Sequence, residues 1–425
     1  MKTNARECLL ASVLVLSVGV TTAFVTPPVR SIRARGQALA AATAVSSPVA
    51  PAVATTAVVE QQQQEVLDFA IIGGGPAGLA AAVGLKERGL NVKVFEAAPV
   101  ISERGAAVFL QTFGLAKLDE ILPGLAAEAI AVGREVDRLH LTRPSGETIA
   151  KFDMRFIAKV MGYPFIGITR YALQTVLLSH LEDGDLELGA CLQGLETHEA
   201  EGITELRFEG HAEPIRARAV IGADGRRSFV RRQVLAAEER NCDWVLAWWA
   251  LADIPDPVTP KGEFRMSYNT KQCVYYGEVE EGVTMWSFSC WRQGEIERDP
   301  KLRAGRALKE LEGWPEELRN LVKNTPPHKI IEVSVGDSPL QWTSWSKQPG
   351  VSLMGDAAHS MMPTLAMGVT SALQDAAALT KRVHGVETPL FEALKEYESA
   401  RRIPATMLQL VSRIAMVFVE NVLCR

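Results

Sequence analysis

Three glycine-bearing turns, far apart in the chain, set phosphate- and hydroxyl-binding chemistry at the ends of apolar strands. The first is Gly73-x-Gly75-x-x-Gly78, preceded by an apolar, β-prone run from Leu67 to Ile72 and followed by an apolar helix from about Pro76 to Arg88. Gly89 stops that helix, Val92, Val94 and Phe95 form the next strand, and Glu96 closes the unit. In such a βαβ unit Gly73 permits the tight turn, Gly75 lets a diphosphate approach the backbone, and Gly78 lets the helix pack on the strand. The positive end of the helix dipole then faces the phosphate charge. Glu96 stands where a carboxylate takes a ribose hydroxyl, and an acid there disfavours a 2′-phosphate. The bland alternative is a glycine-rich turn without a ligand.

The second turn, Gly222-Ala-Asp224-Gly225, ends a strand-like run from Arg218 to Ile221. It brings a carboxylate and a flexible backbone towards a ligand, although alone it is equally an ordinary Asp-Gly turn. The third, Gly355-Asp356, ends a buried run from Val351 to Met354. An Asp at the carboxyl end of a parallel strand sits in the crevice where such sheets bind ligands, and there it can hold ligand hydroxyls.

These turns must be positioned by a chain of 425 residues, enough for two domains, with an ordinary globular composition of 47% hydrophobic and 22% charged residues. The net charge of −5 and the lack of a basic, aromatic-interleaved patch argue against a nucleic-acid partner. The six cysteines are scattered, no C-x-x-C pair occurs, and the seven histidines do not cluster with them, so no metal site is expected.

Lys2 and Arg6 precede an apolar run from Leu9 to Val20, then Thr21-Thr22-Ala23, which reads as a secretory signal over residues 1–23. The run falls short of the roughly 20 residues that span a bilayer. No Asp or Glu occurs between Glu7 and Glu60, whereas Arg30, Arg33 and Arg35 stand among many hydroxyl and alanine residues. Residues 24–65 therefore read as a transit peptide, and signal plus transit segment point to a plastid.

With the three motifs in place, the sequence resembles the FAD-dependent monooxygenases of the aromatic-hydroxylase type, a family that includes zeaxanthin epoxidases. The resemblance rests on the first glycine motif, on Gly222-Ala-Asp-Gly-Arg-Arg-Ser228 and on Gly355-Asp-Ala-Ala-His-Ser-Met-Met-Pro363, and covers about residues 66 to 415. Ile168-Thr-Arg-Tyr-Ala-Leu-Gln174 resembles the family's Arg-x-x-Leu helix start, which implies that Arg170 contacts FAD. Arg104-Gly105 resembles the Arg-Gly that leads a strand over the flavin, and Glu396-Tyr-Glu-Ser-Ala-Arg-Arg402 matches the family's ending. The resemblance implies that Gly73, Gly75, Gly78, Glu96, Arg104, Arg170, Asp224, Gly225, Asp356 and Gly368 surround FAD, with Asp356 on the ribityl hydroxyls.

One departure stands out. Where the family has Pro-x-x-Gly-Gln-Gly opening a helix towards the flavin, this chain has Pro363-Thr-Leu-Ala-Met-Gly368, so Ala366 and Met367 replace Gly and Gln. The helix from 368 to 382 is apolar and Ala-rich, and Asp375 within it reads as a solvated or capping acid without chemistry. His359 braces the loop near the phosphates. No side chain is assigned as catalytic acid, base or nucleophile, because the chemistry of such enzymes is centred on the flavin. No second G-x-G-x-x-G is present for NAD(P)H, the electron donor that the resemblance implies.

The expected architecture is α/β: a three-layer, Rossmann-like FAD-binding domain (66–135, 160–240 and 330–385) with an interleaved, mostly antiparallel substrate sheet (136–159 and 241–329). Residues 386–425 form a C-terminal helical tail. Val136 to Phe152 reads as two strands around the turn Arg143-Pro-Ser-Gly146. Trp244 to Trp291 is rich in aromatic residues, and alternation puts Trp286, Phe288 and Cys290 on one strand face and Met285, Ser287 and Ser289 on the other. An aromatic wall beside the flavin would suit a hydrophobic substrate; the alternative is that the rings are core. The apolar run from Ile403 to Cys424 either covers the core or makes peripheral contact with a membrane surface. The expected activity is hydroxylation or epoxidation of a hydrophobic, carotenoid or aromatic substrate. The alternatives are a flavin-dependent reductase or dehydrogenase and a non-catalytic FAD-binding protein.

Overall fold

The computed structural model describes residues 65–103, 107–236, 242–254 and 258–418. The leader over 1–64 and Arg104 lie outside the described residues. Along the chain come β1 (Val66–Ile72), α1 (Pro76–Lys86), β2 (Val92–Glu96), β3 (Ala107–Leu110), α2 (Thr112–Ile121), α3 (Leu125–Val132), β4 (Arg134–Glu135), β5 (Arg138–Thr142) and β6 (Thr148–Asp153). Next are α4 (Met154–Met161), β7 (Ile166–Thr169), α5 (Arg170–Leu178), β8 (Leu186–Leu188), β9 (Leu192–His198), β10 (Ile203–Phe208), β11 (Ile215–Gly222) and α6 (Phe229–Leu235). The second half holds β12 (Cys242–Asp253), β13 (Glu263–Tyr268), β14 (Gln272–Glu280), β15 (Val283–Cys290), α7 (Pro300–Glu310), α8 (Glu316–Asn324) and β16 (Ile331–Asp337). It ends with β17 (Val351–Leu353), the single turn α9 (Asp356–His359), α10 (Gly368–Thr380) and α11 (Leu390–Phe418).

The first sheet runs β8-β2-β1-β11-β10-β9, with β17 also on β11. Strands β2, β1, β11 and β17 are parallel, and their register decides the function. Ile72 is level with Phe95 on one side and with Gly222 on the other, and Gly222 is level with Leu353. Glu96, Gly73, Ala223 and Met354 therefore leave four adjacent strands at the same level and at the same end. Chain segments as far apart as Gly73 and Met354 need only this register to meet. Apolar residues on both faces make it obligatory: Phe69, Ile71, Val94 and Ile221 on one face and Ala70, Phe95, Val220 and Leu353 on the other are all fully buried. Helix α1 packs on β1 and β2 and against α5 and α10.

The second sheet runs β16-β12-β15-β14-β13-β5-β6 and is antiparallel except for the β5–β13 pair. Strands β5 and β6 flank the expected turn, closed by Gly146 at φ 86°. Strand β16 pairs with β12, so this sheet continues to Asp337, past the boundary expected at 330. The expected alternation in β15 is present, but it corrects the idea of one aromatic wall. Trp286 and Phe288, with Trp248 and Tyr276, form a core under α7 and α8, together with Trp314 and Leu318. The other face holds Met285, Phe264, Tyr268 and Cys273, and packs with Ala107 and Phe165. A small third sheet, β3-β7-β4, packs on the second, with β7 and β4 in contact with β14.

Helix α11 covers the core rather than standing apart from it: Ala405, Leu408, Ala415 and Met416 are buried, while Ile403 and Ile414 are exposed. Its buried polar residues are tied down as well. Thr406 donates to the Gln341 carbonyl at 2.9 Å, and Gln409 donates to the carbonyls of Ser338 at 2.6 Å and Ser360 at 2.9 Å. Among the described residues no helix is long and apolar enough to cross a membrane.

Candidate functional site

The first turn shows why its three glycines differ. Gly73 has φ +115°, and a Cβ there would meet the Ala223 carbonyl oxygen at 2.3 Å. The first and second motifs are in backbone contact at that point, which only glycine permits. A Cβ on Gly78 would strike the Gly73 oxygen at 2.1 Å. At Gly75 the described residues present only the Arg170 guanidinium, at 3.8 Å. Gly75 is thus not needed for internal packing; it leaves open backbone at the N-terminus of α1. That helix has no side-chain cap and no acid in its first turn, which suits an anion.

Around this opening the predicted residues gather. Glu96 bends back to the turn, accepting from the amides of Gly74 at 2.7 Å and Ala98 at 2.9 Å. Arg170 is the first residue of α5, which begins on a Thr169 cap that accepts from the Ala172 amide. Gln174, one turn further along the same helix, donates to the Gly74 carbonyl at 2.7 Å. Its place in the Arg-x-x-Leu-Gln run was the available signal, although it was not singled out from sequence.

The Asp-Gly turn is built differently from the expectation. The Asp224 carboxylate points into the following helix rather than towards a ligand, accepting from Ser228 Oγ at 2.5 Å and from the amides of Phe229 at 2.7 Å and Val230 at 3.1 Å. It shapes the turn, and Gly225, at φ +77° with nothing within 4 Å of a Cβ, leaves backbone exposed beside it. Arg231 then links the second motif to the third, donating to the carbonyls of Arg226 at 2.5 Å and Ala357 at 2.8 Å.

Asp356 is exposed, yet enough protein surrounds it that desolvation raises its carboxyl above the ordinary value, against the pull of His359, Arg170, Arg226 and Arg231. A carboxylate held at this cost beside several cations makes Asp356 a candidate functional position. Its neighbour Gly355, at φ +59°, would put a Cβ 3.0 Å from that of Ala77 in α1, so the third motif abuts the first turn of that helix.

Asp375 corrects the sequence expectation. It is completely buried, not solvated, and accepts from the Gly355 amide at 2.9 Å, His359 Nε2 at 2.6 Å and Arg401 Nε at 2.7 Å. Burial pushes its carboxyl up, but the charges and hydrogen bonds of His359 and Arg401 outweigh this and hold it below its ordinary value. A carboxylate offers only acceptors, so the His359 proton on this side sits on Nε2. His359 does brace the loop, as expected. An acid inside an Ala-rich helix was the signal, since Asp is almost never fully buried unless paired.

The altered loop uses a backbone conformation that glycine favours. Ala366 is in the left-handed region at φ +52°, where the family motif has Gly. Met367 is buried with Met361, Leu408 and Leu365, and the Leu365 carbonyl accepts from Gln111 Nε2 at 2.9 Å. Gly368 opens α10, whose N-terminus has no side-chain cap. The left-handed alanine costs roughly 1–2 kcal/mol, and glycine would cost roughly 0.4–1 kcal/mol in unfolded-state entropy. Ala366→Gly is accordingly expected to raise stability by about 0.5–1 kcal/mol, read as a higher urea midpoint at unchanged slope; a lower midpoint would refute the strain.

Among the described residues no group of His, Cys, Asp and Glu could hold a metal ion. A family model described as FAD binding domain matches residues 66–409. Aurachin C monooxygenase/isomerase of Stigmatella aurantiaca is 29% identical over 343 residues, covering 79% of this chain and 85% of that protein. The chloroplastic zeaxanthin epoxidase of Nicotiana plumbaginifolia is 26% identical over 393 residues, covering 88% of this chain and 58% of that protein, so the chain spans little more than half of it. The crystal structure of Klebsiella pneumoniae HpxO with FAD and uric acid shares the fold, with a TM-score of 0.75 at 22% identity, covering 83% of this chain and 89% of that one. Four strand ends at one level, open backbone at Gly75 and a family match over most of the length lead to one conclusion: the chain belongs to the FAD binding domain family, the group of flavin-dependent monooxygenases that its glycine motifs resemble.

Proposed function

We propose that this chain inserts one atom of dioxygen into a hydrophobic substrate of carotenoid or aromatic type, using FAD and electrons from NAD(P)H, in the plastid to which its leader points. The observation that carries this reading is the common level of Glu96, Gly73, Ala223 and Met354 at the ends of four parallel strands. Gly75 and the first turn of α1 would take the pyrophosphate beside Arg170. Glu96 would exchange an amide partner for a ribose hydroxyl, and Asp356 would accept from ribityl hydroxyls. The backbone at Gly225 would line the same cleft, with Asp224 holding its shape. Gly368 would turn the positive end of α10 towards negative charge on the ring. Arg104 keeps its place in this set by resemblance alone.

Bound FAD supplies the redox and oxygen chemistry. The chain's own residues bind and orient it, and keep water from the reacting region. The second sheet supports an apolar substrate. On the face opposite α7 and α8, Phe264, Tyr268 and Met285 pack with Phe109 of β3, which stacks on Phe165 at 5.6 Å and meets Phe264 edge-on at 4.5 Å. A substrate reaching this face would meet few hydrogen-bonding groups, which suits a hydrocarbon better than a polar heterocycle.

Purified mature protein incubated with plastid pigments, simple phenols, NAD(P)H and labelled dioxygen is expected to yield a product carrying one labelled oxygen atom. Consumption of NAD(P)H with peroxide as the sole oxygen product would favour the reductase reading. Retention of FAD without any turnover would favour a binding protein.

A further inference from the structure

Asp375 touches none of the residues expected to contact FAD through its own surface, yet it is the convergence point of three segments that position one of them. Its Oδ2 takes the Gly355 amide and His359 Nε2, and its Oδ1 takes Arg401 Nε from α11. Arg401 also reaches Ser371 Oγ, at 3.2 Å on α10. The group is dry: Asp375 is 0% and His359 1% exposed. Gly355 holds a left-handed conformation at φ +59° and is followed directly by Asp356. An amide bonded on one side of that bend, and an imidazole bonded three residues after Asp356, leave the intervening turn little freedom.

We propose that Asp375 is a positioning residue for the cofactor: it clamps both ends of the Gly355–His359 turn and so aims the Asp356 carboxylate into the cleft, with α11 holding the clamp through Arg401. The proposal rests on the FAD reading above. It assigns work to a residue pair, Asp375 and Arg401, that never meets the ligand. It also gives the C-terminal helix a part in cofactor binding beyond covering the core.

The control is built into the same helix. Tyr397 donates to the Leu353 carbonyl at 2.8 Å, just before the turn, and is fully buried. Tyr397→Phe removes a buried bond near the motif without touching the clamp. FAD affinity is measured by fluorescence titration of the apoprotein, beside urea unfolding and the visible spectrum of the bound flavin. Asp375→Asn, which keeps an acceptor but loses the charge, is expected to weaken FAD binding at least tenfold and to alter the bound spectrum. Tyr397→Phe is expected to bind FAD within twofold of the parent even where its urea midpoint falls as far. Should Asp375→Asn not fold, Arg401→Lys, which keeps the charge but loses the fork, is expected to weaken binding at least threefold. Parent-like affinity in both clamp variants, or an affinity loss in Tyr397→Phe that tracks its stability loss, overturns the proposal. A parent protein that binds no FAD overturns the underlying reading instead.

Discussion

Valine at position 75 is expected to leave the apoprotein folded while weakening FAD binding by roughly a hundredfold, about 2.7 kcal/mol. The backbone there, φ −75° and ψ 174°, is open to any residue. Among the described residues, the sole atom near a Cβ belongs to a flexible guanidinium at 3.8 Å. Losing glycine at the helix N-cap costs about 1 kcal/mol at most, so the urea midpoint should fall only slightly. A diphosphate, by contrast, needs that backbone bare, because its oxygens bond to amides at the start of α1. The same substitution at Gly73 is expected to behave in the opposite sense. A side chain 2.3 Å from the Ala223 oxygen, at φ +115°, cannot be accommodated without parting β1 from the second motif. Gly73→Val should fail to give soluble, cooperatively unfolding protein. Equal damage to stability from both variants would refute the assignment of Gly75 to the ligand rather than to the fold.

Asp356→Asn is expected to stabilise the apoprotein at neutral pH and to weaken FAD by roughly 10- to 150-fold, the equivalent of a charged hydrogen bond of about 1.5–3 kcal/mol. The sign follows from the raised carboxyl pKa: the surrounding protein desolvates the group although the residue itself is exposed, so the effect on stability is small. Below the unfolded value of 3.8 the group is protonated in both states and contributes nothing. As pH rises through the folded value, the native state must carry a charge it disfavours, and stability is lost. Asparagine removes that cost, so the difference between variant and parent should grow with pH and vanish near pH 3. Asp375 runs the other way. Its folded value lies below 3.8, so its contribution is complete above that pH and is lost as pH falls through the folded value. Urea unfolding of the apoprotein across pH, beside an FAD titration, checks both. An Asp356→Asn variant that is less stable than the parent at pH 7 would contradict the functional strain assigned to this carboxylate.

The two variants act on residues that the chain itself advertises. Gly73, Gly75, Gly78 and Glu96 lie within 24 residues, and their meaning depends on backbone sterics that any strand–turn–helix imposes. Asp356 was readable for the same reason, as an acid ending an apolar strand. Asp224 was readable as part of a turn but not in its role: which way a carboxylate points depends on the helix it caps, and Ser228, Phe229 and Val230 claim it. The aromatic strands show a similar limit. Alternation separated Trp286 and Phe288 from Met285, but nothing local told which face α7 and α8 would cover.

Short-range geometry, written in glycine spacing and strand polarity, was enough to name the cofactor class and to single out the turns proposed to meet it. What folding added was long-range: the register that levels Ile72, Phe95, Gly222 and Leu353, and the meeting of Asp375 with His359 and Arg401. Neighbours along a chain constrain each other through fixed bonds and sterics. Partners far apart in sequence are chosen by the burial of whole faces and by the pairing that buried charge demands, and no single segment carries that information.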